Sequence, residues 1–343
     1  MQYYYQPQPN YIPRQYHLPT PEELLEQQYK RDLRRSVNGL GTMLLVFFGL
    51  EFLLVIILEL VVMLTGNTDD LLEKNVLYML ESGLVSTVIF FVAALIYCLI
   101  KKADFGALFP FKKVGGVMLY RLCVIGISVS LMSNYVVELL NNNLGLFGIE
   151  NNGGTFSTSD NPDVLMYFLV VAIIPAFVEE FAFRGVVMGM LRPYSEGLAI
   201  MVSSITFALM HGNFVQMPFT FCVGLVLGYI DILTGSLLPS IIVHFLNNGL
   251  SVLYDVLTSY GLLDETSASL WFGAVYLVTG ILAFIAAWRI IKSKDSGFFS
   301  LKDGDTVIPF RQKMKTALTS PTMICFAALM VIFSIVEMVS GIG

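Results

Sequence analysis

The chain has 343 residues, 56% of them hydrophobic and only 13% charged, and its mean hydropathy is +0.72. Soluble domains run at about 45–50% apolar and about 25% charged, so composition argues against a water-soluble enzyme and for a chain solvated largely by lipid. A net charge of −6 with a pI near 5.1 speaks against a basic nucleic-acid-binding face. No nucleic-acid partner is expected.

Residues 1–37 are polar, opening with MQYYYQPQPNYIP and continuing into the charged stretch PEELLEQQYKRDLRR. No apolar core follows a basic start, so this is no secretory signal. It reads as a partly disordered cytoplasmic tail whose second half can be helical at the membrane surface. A bilayer core of about 30 Å needs about 20 apolar residues per helix. By that rule nine spans are predicted, at 39–66, 78–100, 117–141, 163–191, 197–212, 214–233, 236–258, 269–291 and 319–341. The fold class is all-α, a polytopic membrane protein of eight to nine transmembrane helices. FGALFPF, residues 105–111, lies between lysine pairs and is read as a short interfacial element on the surface. The chain divides into the tail 1–37, N-terminal helices 38–160, a core 161–260 and C-terminal helices 261–343.

Lys and Arg fall on alternate connections. Eighteen of the 20 lie on one side, Lys74 alone on the other, and Arg184 inside a span. This bias puts the N-terminus in the cytoplasm of a multi-pass cell-membrane protein. The four cysteines, Cys98, Cys123, Cys222 and Cys325, sit in apolar runs without CxxC spacing and read as small buried hydrophobes.

Ionisable groups inside a bilayer are costly and mark function by default. They concentrate in three stretches. PAFVEEFAFRG carries Glu179, Glu180 and Arg184. Glu180 and Arg184, four residues apart, share a helix face and can pair, while Glu179 turns about 100° away toward a different cavity. Pro175 removes a backbone donor one turn earlier and predicts a local irregularity. SSITFALMHGN puts Phe207 and His211 four residues apart, and TGSLLPSIIVHFLNNG does the same for His244 and Asn248. At 1.5 Å per residue, Glu179, His211, Asn248 and His244 lie about 20, 22, 18 and 12 Å from the cytoplasmic helix ends. One cluster is therefore feasible. Glu51, Glu59 and Glu81 have no basic partner nearby in sequence; protonation, a water-filled groove or a helix end would each accommodate them, and a structural or boundary role is favoured over a functional one. Asp231 and Asp255 are read as carboxylates at helix ends, where exposure costs little.

A carboxylate beside a neutral imidazole can deprotonate water and aim it at a carbonyl. A second His and an Asn offer N–H donors to the developing oxyanion. That set suffices for peptide hydrolysis without a Ser or Cys nucleophile. Glu179, His211 and His244 could equally bind zinc as two His and one carboxylate with an open position, although no HExxH is present.

These three stretches resemble a known family. EEFAFR matches the EExxxR motif, FALMH the FxxxH motif and HFLNN the HxxxN motif of the CAAX-protease and bacteriocin-processing membrane proteins, which include the type II CAAX prenyl endopeptidases. The resemblance covers residues 160–260 and implies an intramembrane endopeptidase. Glu179 and His211 would activate water, His244 and Asn248 would hold the oxyanion, and Glu180, Arg184 and Phe207 would support the site. It implies a membrane-embedded or lipidated peptide or protein as substrate and the lipid bilayer as surroundings. No cofactor is expected, with zinc the alternative. The competing readings are a non-catalytic scaffold or bacteriocin-immunity protein, and a proton-relay transporter.

Overall fold

The computed structural model describes residues 18–65, 84–145, 164–293, 300–304 and 307–340, and among these the regular structure is entirely helical. In chain order the helices are α1 (Pro21–Thr65), α2 (Ser86–Lys101), α3 (Phe105–Leu108), α4 (Gly116–Gly145), α5 (Val164–Leu191), α6 (Glu196–Met210), α7 (Gln216–Thr234), α8 (Leu238–Ser259), α9 (Glu265–Lys292), α10 (Phe310–Leu318) and α11 (Pro321–Ser340). Among the described residues seven helices, α1, α4, α5, α7, α8, α9 and α11, are long and apolar enough to cross a membrane. The chain is a polytopic helical membrane protein.

The other two predicted spans are shorter apolar helices. α2 is described from Ser86 only, and the start of its predicted span lies outside the described residues. α6 has 15 residues, about 22 Å of helix, short of a 30 Å core. Gly212, at φ +65°, ends it in the left-handed conformation that suits glycine. The Asn213 side chain then accepts the amides of Val215 and Gln216 and starts α7. α6 and α7 pack as an antiparallel hairpin, with Gly212 and Asn213 of the turn buried and Phe214 exposed.

The charged stretch after residue 20 is not a separate surface helix. It runs unbroken into the first span as α1, and Leu33 and Val37 are already fully buried. Glu59 and Glu81 fall among positions whose side chains are not described.

Two apolar clusters flank the centre. One joins α1, α2, α5, α6 and α11; the other joins α4, α7, α8 and α9. At the Lys/Arg-rich end, the buried Lys313 ammonium bonds to the carbonyls of Tyr194 and Asp303 and to the Asp303 carboxylate. Tyr29 of α1 donates to the same Tyr194 carbonyl at 3.1 Å. These contacts close that end of the bundle around α10.

The FGALFPF element does not span, as expected, but neither does it only lie on the surface. Asp104 caps α3, Leu108 is buried, and the Phe109 ring stacks on Phe181 at 4.3 Å. A Cβ on Gly185 would stand 2.0 Å from that ring. Only glycine lets Phe109 reach α5.

Candidate active site

α5 is irregular where the first motif sits. Its residues Leu169–Ile173 and Glu180–Met188 form wide π-helical turns, a geometry common at functional sites. Pro175 explains part of this: it cannot donate to the carbonyl of Val171, its α-helical partner. Asn248 of α8 donates to that carbonyl instead, at 3.1 Å. The irregularity expected at Pro175 thus takes the form of widened turns tied across to α8.

Glu180 and Arg184 are fully buried and pair at 3.0 Å. His244 Nδ1 sits 2.8 Å from the same Glu180 oxygen. The Arg184 guanidinium lies over the Phe207 ring, 4.6 Å from its centroid, and the same ring meets those of His211 and His244 edge to face with centroids at 4.8 and 5.9 Å. The quadrupole of the ring attracts the cation on its face. Phe207 is therefore the apolar hub between two motif helices and the buried charges.

Glu179 faces elsewhere, as the 100° turn requires. Its side chain keeps 26% of its exposure, against none for Glu180, and its Oε2 lies 3.6 Å from His244 Nε2. Glu179 and His211 line one cavity of about 130 Å³ together with Phe47, Phe90, Phe183 and Met210. The volume holds several waters.

Orientation follows from the partners. His211 Nδ1 lies 2.8 Å from the Phe207 carbonyl, and since a carbonyl only accepts, Nδ1 carries the proton. In the neutral ring Nε2 is then an acceptor. His244 donates through Nδ1 to Glu180, so its Nε2 accepts when neutral and donates only as imidazolium. Asn248 uses one N–H on Val171, and its oxygen accepts from Asn247 at 3.0 Å. One N–H remains for any other partner.

Among the described residues no group of three His, Cys, Asp or Glu side chains is placed to hold a metal ion.

Of the alternatives open for Glu51, the groove-facing one holds: it lines the cavity of Glu179 and His211 and accepts from Ser86 at 2.6 Å. Its signal was present, a carboxylate within an apolar span, but its partners come from α2 and were invisible along α1. Asp231 is not exposed at a helix end. It is 2% exposed on α7, one Oδ without a hydrogen bond. Asp255, by contrast, is partly buried and accepts from Tyr167 at 2.7 Å. All four thiols are free; Cys98 is buried, Cys123 and Cys222 are partly so, and Cys325 is exposed.

A family comparison falls on the same segment. Residues 161–250 match the family described as "Type II CAAX prenyl endopeptidase Rce1-like". The membrane-embedded CAAX protease MroQ of Staphylococcus aureus (strain USA300) is 32% identical over 108 residues, covering 29% of this chain and 44% of MroQ. The chain thus spans less than half of that relative's length. No solved structure matches. The segment that carries all three motifs is thus similar to the Rce1-like CAAX protease family.

Proposed function

We propose that the chain is an intramembrane endopeptidase that hydrolyses a peptide bond of a lipidated or membrane-bound peptide with a Glu/His-activated water. The observation that carries this is Glu179: partly open, 3.6 Å from His244 Nε2, and sharing its cavity with His211. A water there can donate one hydrogen to the Glu179 carboxylate and the other to His211 Nε2. Its lone pair then attacks the substrate carbonyl carbon as Glu179 takes a proton. His244, held by Glu180 through Nδ1, offers Nε2–H to the oxyanion in its imidazolium form, and the free N–H of Asn248 is the second donor. Collapse of the tetrahedral intermediate breaks the C–N bond, and the Glu179 proton passes to the leaving amine. Water supplies the oxygen and both protons, so the step balances with no other reactant.

Glu180 and Arg184 support the chemistry rather than touch the substrate. Their pair anchors His244 within the membrane, where an unpaired charge would be costly. The Lys/Arg bias supports a cytoplasmic N-terminus and a cytoplasmic approach for substrate.

The test is purified full-length chain in liposomes with a prenylated CAAX peptide and its unprenylated counterpart, read by mass spectrometry. Release of the three C-terminal residues from the lipidated peptide, lost in Glu179→Gln, is the expected result. An intact peptide with both proteins, at matched folding, would favour the scaffold or immunity reading.

A further inference from the structure

The Lys/Arg-rich end of the bundle holds a second feature, remote from Glu179. A cavity of about 420 Å³ opens between the ends of α4, α7 and α9, the start of α6 and the strap 300–304. Three cations line it: Arg121, Arg192 and Lys302. The one carboxylate on its wall, Glu196, is already engaged. It accepts the Lys302 amide at 2.8 Å and faces Arg192 Nε at 3.6 Å. Neither the Arg121 guanidinium nor the Lys302 ammonium has an ion-pair or hydrogen-bond partner among the described residues.

Directly beside it runs an apolar groove of about 510 Å³ that shares Tyr229 and Leu301 with the cationic cavity. Its wall is carried by Ile125 of α4, Met201 of α6, Val226 of α7 and Phe310 of α10. On α4 and α7 these residues lie about one turn further into the bundle than Arg121 and Tyr229. A positively charged mouth at a helix end, continuing into an apolar furrow, is complementary to one molecule with a negative head and hydrocarbon tails.

We infer that this composite site binds an anionic phospholipid, its phosphate held by Arg121, Arg192 and Lys302 and its acyl chains lying along the groove. Charge decides the class. A zwitterionic headgroup brings its own cation into a cavity whose carboxylate is spent, whereas an anionic one meets two unpaired cations. A basic pocket between membrane helices is a known way to hold such headgroups. The inference needs only that the chain is a membrane protein, and it stands or falls apart from the peptidase reading.

The experiment is native mass spectrometry of the full-length chain in detergent with equimolar phosphatidylglycerol and phosphatidylcholine of matched chains. Wild type should carry phosphatidylglycerol in preference by about tenfold or more. Each cation is worth roughly fivefold near a membrane surface, so Arg121→Gln with Lys302→Gln should bring the two lipids to parity. Arg121→Lys with Lys302→Arg should keep the preference. So should Arg34→Gln with Arg35→Gln, which removes two exposed charges of α1 that do not line the cavity. Lys302→Gln alone, at an exposed side chain, should lose roughly fivefold and serves if the double variant fails to fold. Equal binding of both lipids by wild type, or an equal loss in the α1 variant, overturns the inference. Displacement of the lipid by equimolar inorganic phosphate also overturns it, making the pocket a site for the free ion.

Discussion

α7 and α9 are both apolar helices long enough to cross a bilayer, yet their fates differ. The more hydrophobic one, α9, has mean hydropathy 2.1 and buries 6% of its apolar window; α7, at 1.7, buries 39%. In lipid, apolarity alone does not drive a helix inward, because the tails are as apolar as the neighbouring helix. Small and polar residues decide. α7 presents Thr220, Gly224 and Gly228 at four-residue spacing, all buried, with Gly224 against Ser204 and Gly228 against Ile200 of α6. α9 also has glycines, but Gly273 meets nothing within 4 Å. The hairpin that carries Phe207 and His211 is thus locked by close backbone contact, while α9 forms a lipid-facing wall.

That contrast can be broken in several ways, and the largest effect belongs to the chemistry the packed region carries. Glu179→Gln keeps size and hydrogen bonding but removes the proposed base, so peptide hydrolysis should fall by about 10²–10⁴-fold with an unchanged thermal midpoint. Arg184→Met leaves Glu180 buried without its cation, and should destabilise the chain by about 3–5 kcal/mol, read as a lowered midpoint in detergent. Should that variant be as stable as wild type, the buried pair is not what fixes α5.

Glycine substitutions sharpen the comparison by sign. At Gly224 an added Cβ would stand 3.0 Å from the Ser204 side chain and 3.1 Å from its backbone, so Gly224→Ala should cost about 1–3 kcal/mol. Gly273→Ala has open space and should be neutral or stabilising by up to about 1 kcal/mol. Equal effects would remove the close-packing account of α7. Asn248→Ala should cost about 1 kcal/mol through the lost bond to Val171 and lower kcat as well; loss of activity alone would assign Asn248 to the oxyanion only.

The smallest effect concerns the start of α9. Exposed Asp264 accepts the Ser267 amide and hydroxyl, and these bonds hold its carboxyl below the usual carboxylate range. A depressed folded-state pKa gives stability that is present above the unfolded value, about 3.9, and lost as pH falls toward the folded one. The midpoint difference between wild type and Asp264→Ala should therefore be seen at neutral pH and vanish in acid.

Much of the site could be read from the chain because it depends on spacing within single helices. Glu180 and Arg184 at four residues, Glu179 a third of a turn away, and the paired positions Phe207/His211 and His244/Asn248 follow from helix geometry. What could not be read comes from contacts between helices. Glu51 joins the cavity only because α1 and α2 pack against α5, and Asn248 reaches Val171 only across the gap that Pro175 leaves. Asp231 looked like a helix-end residue because α7 ends three residues later, yet its neighbours bury it. The shortness of α6, by contrast, was legible: the span predicted at 197–212 already broke before residue 214, and the helix runs Glu196–Met210.

The central claim is that Glu179 drives proteolysis within the membrane. The direct measurement compares membranes carrying wild type with membranes carrying Glu179→Gln at matched abundance, and catalogues new peptide termini by mass spectrometry. Termini that appear only with wild type, on membrane-bound or lipidated proteins, are the predicted result. Identical termini in the two membranes, with both proteins folded and such substrates present, would contradict it.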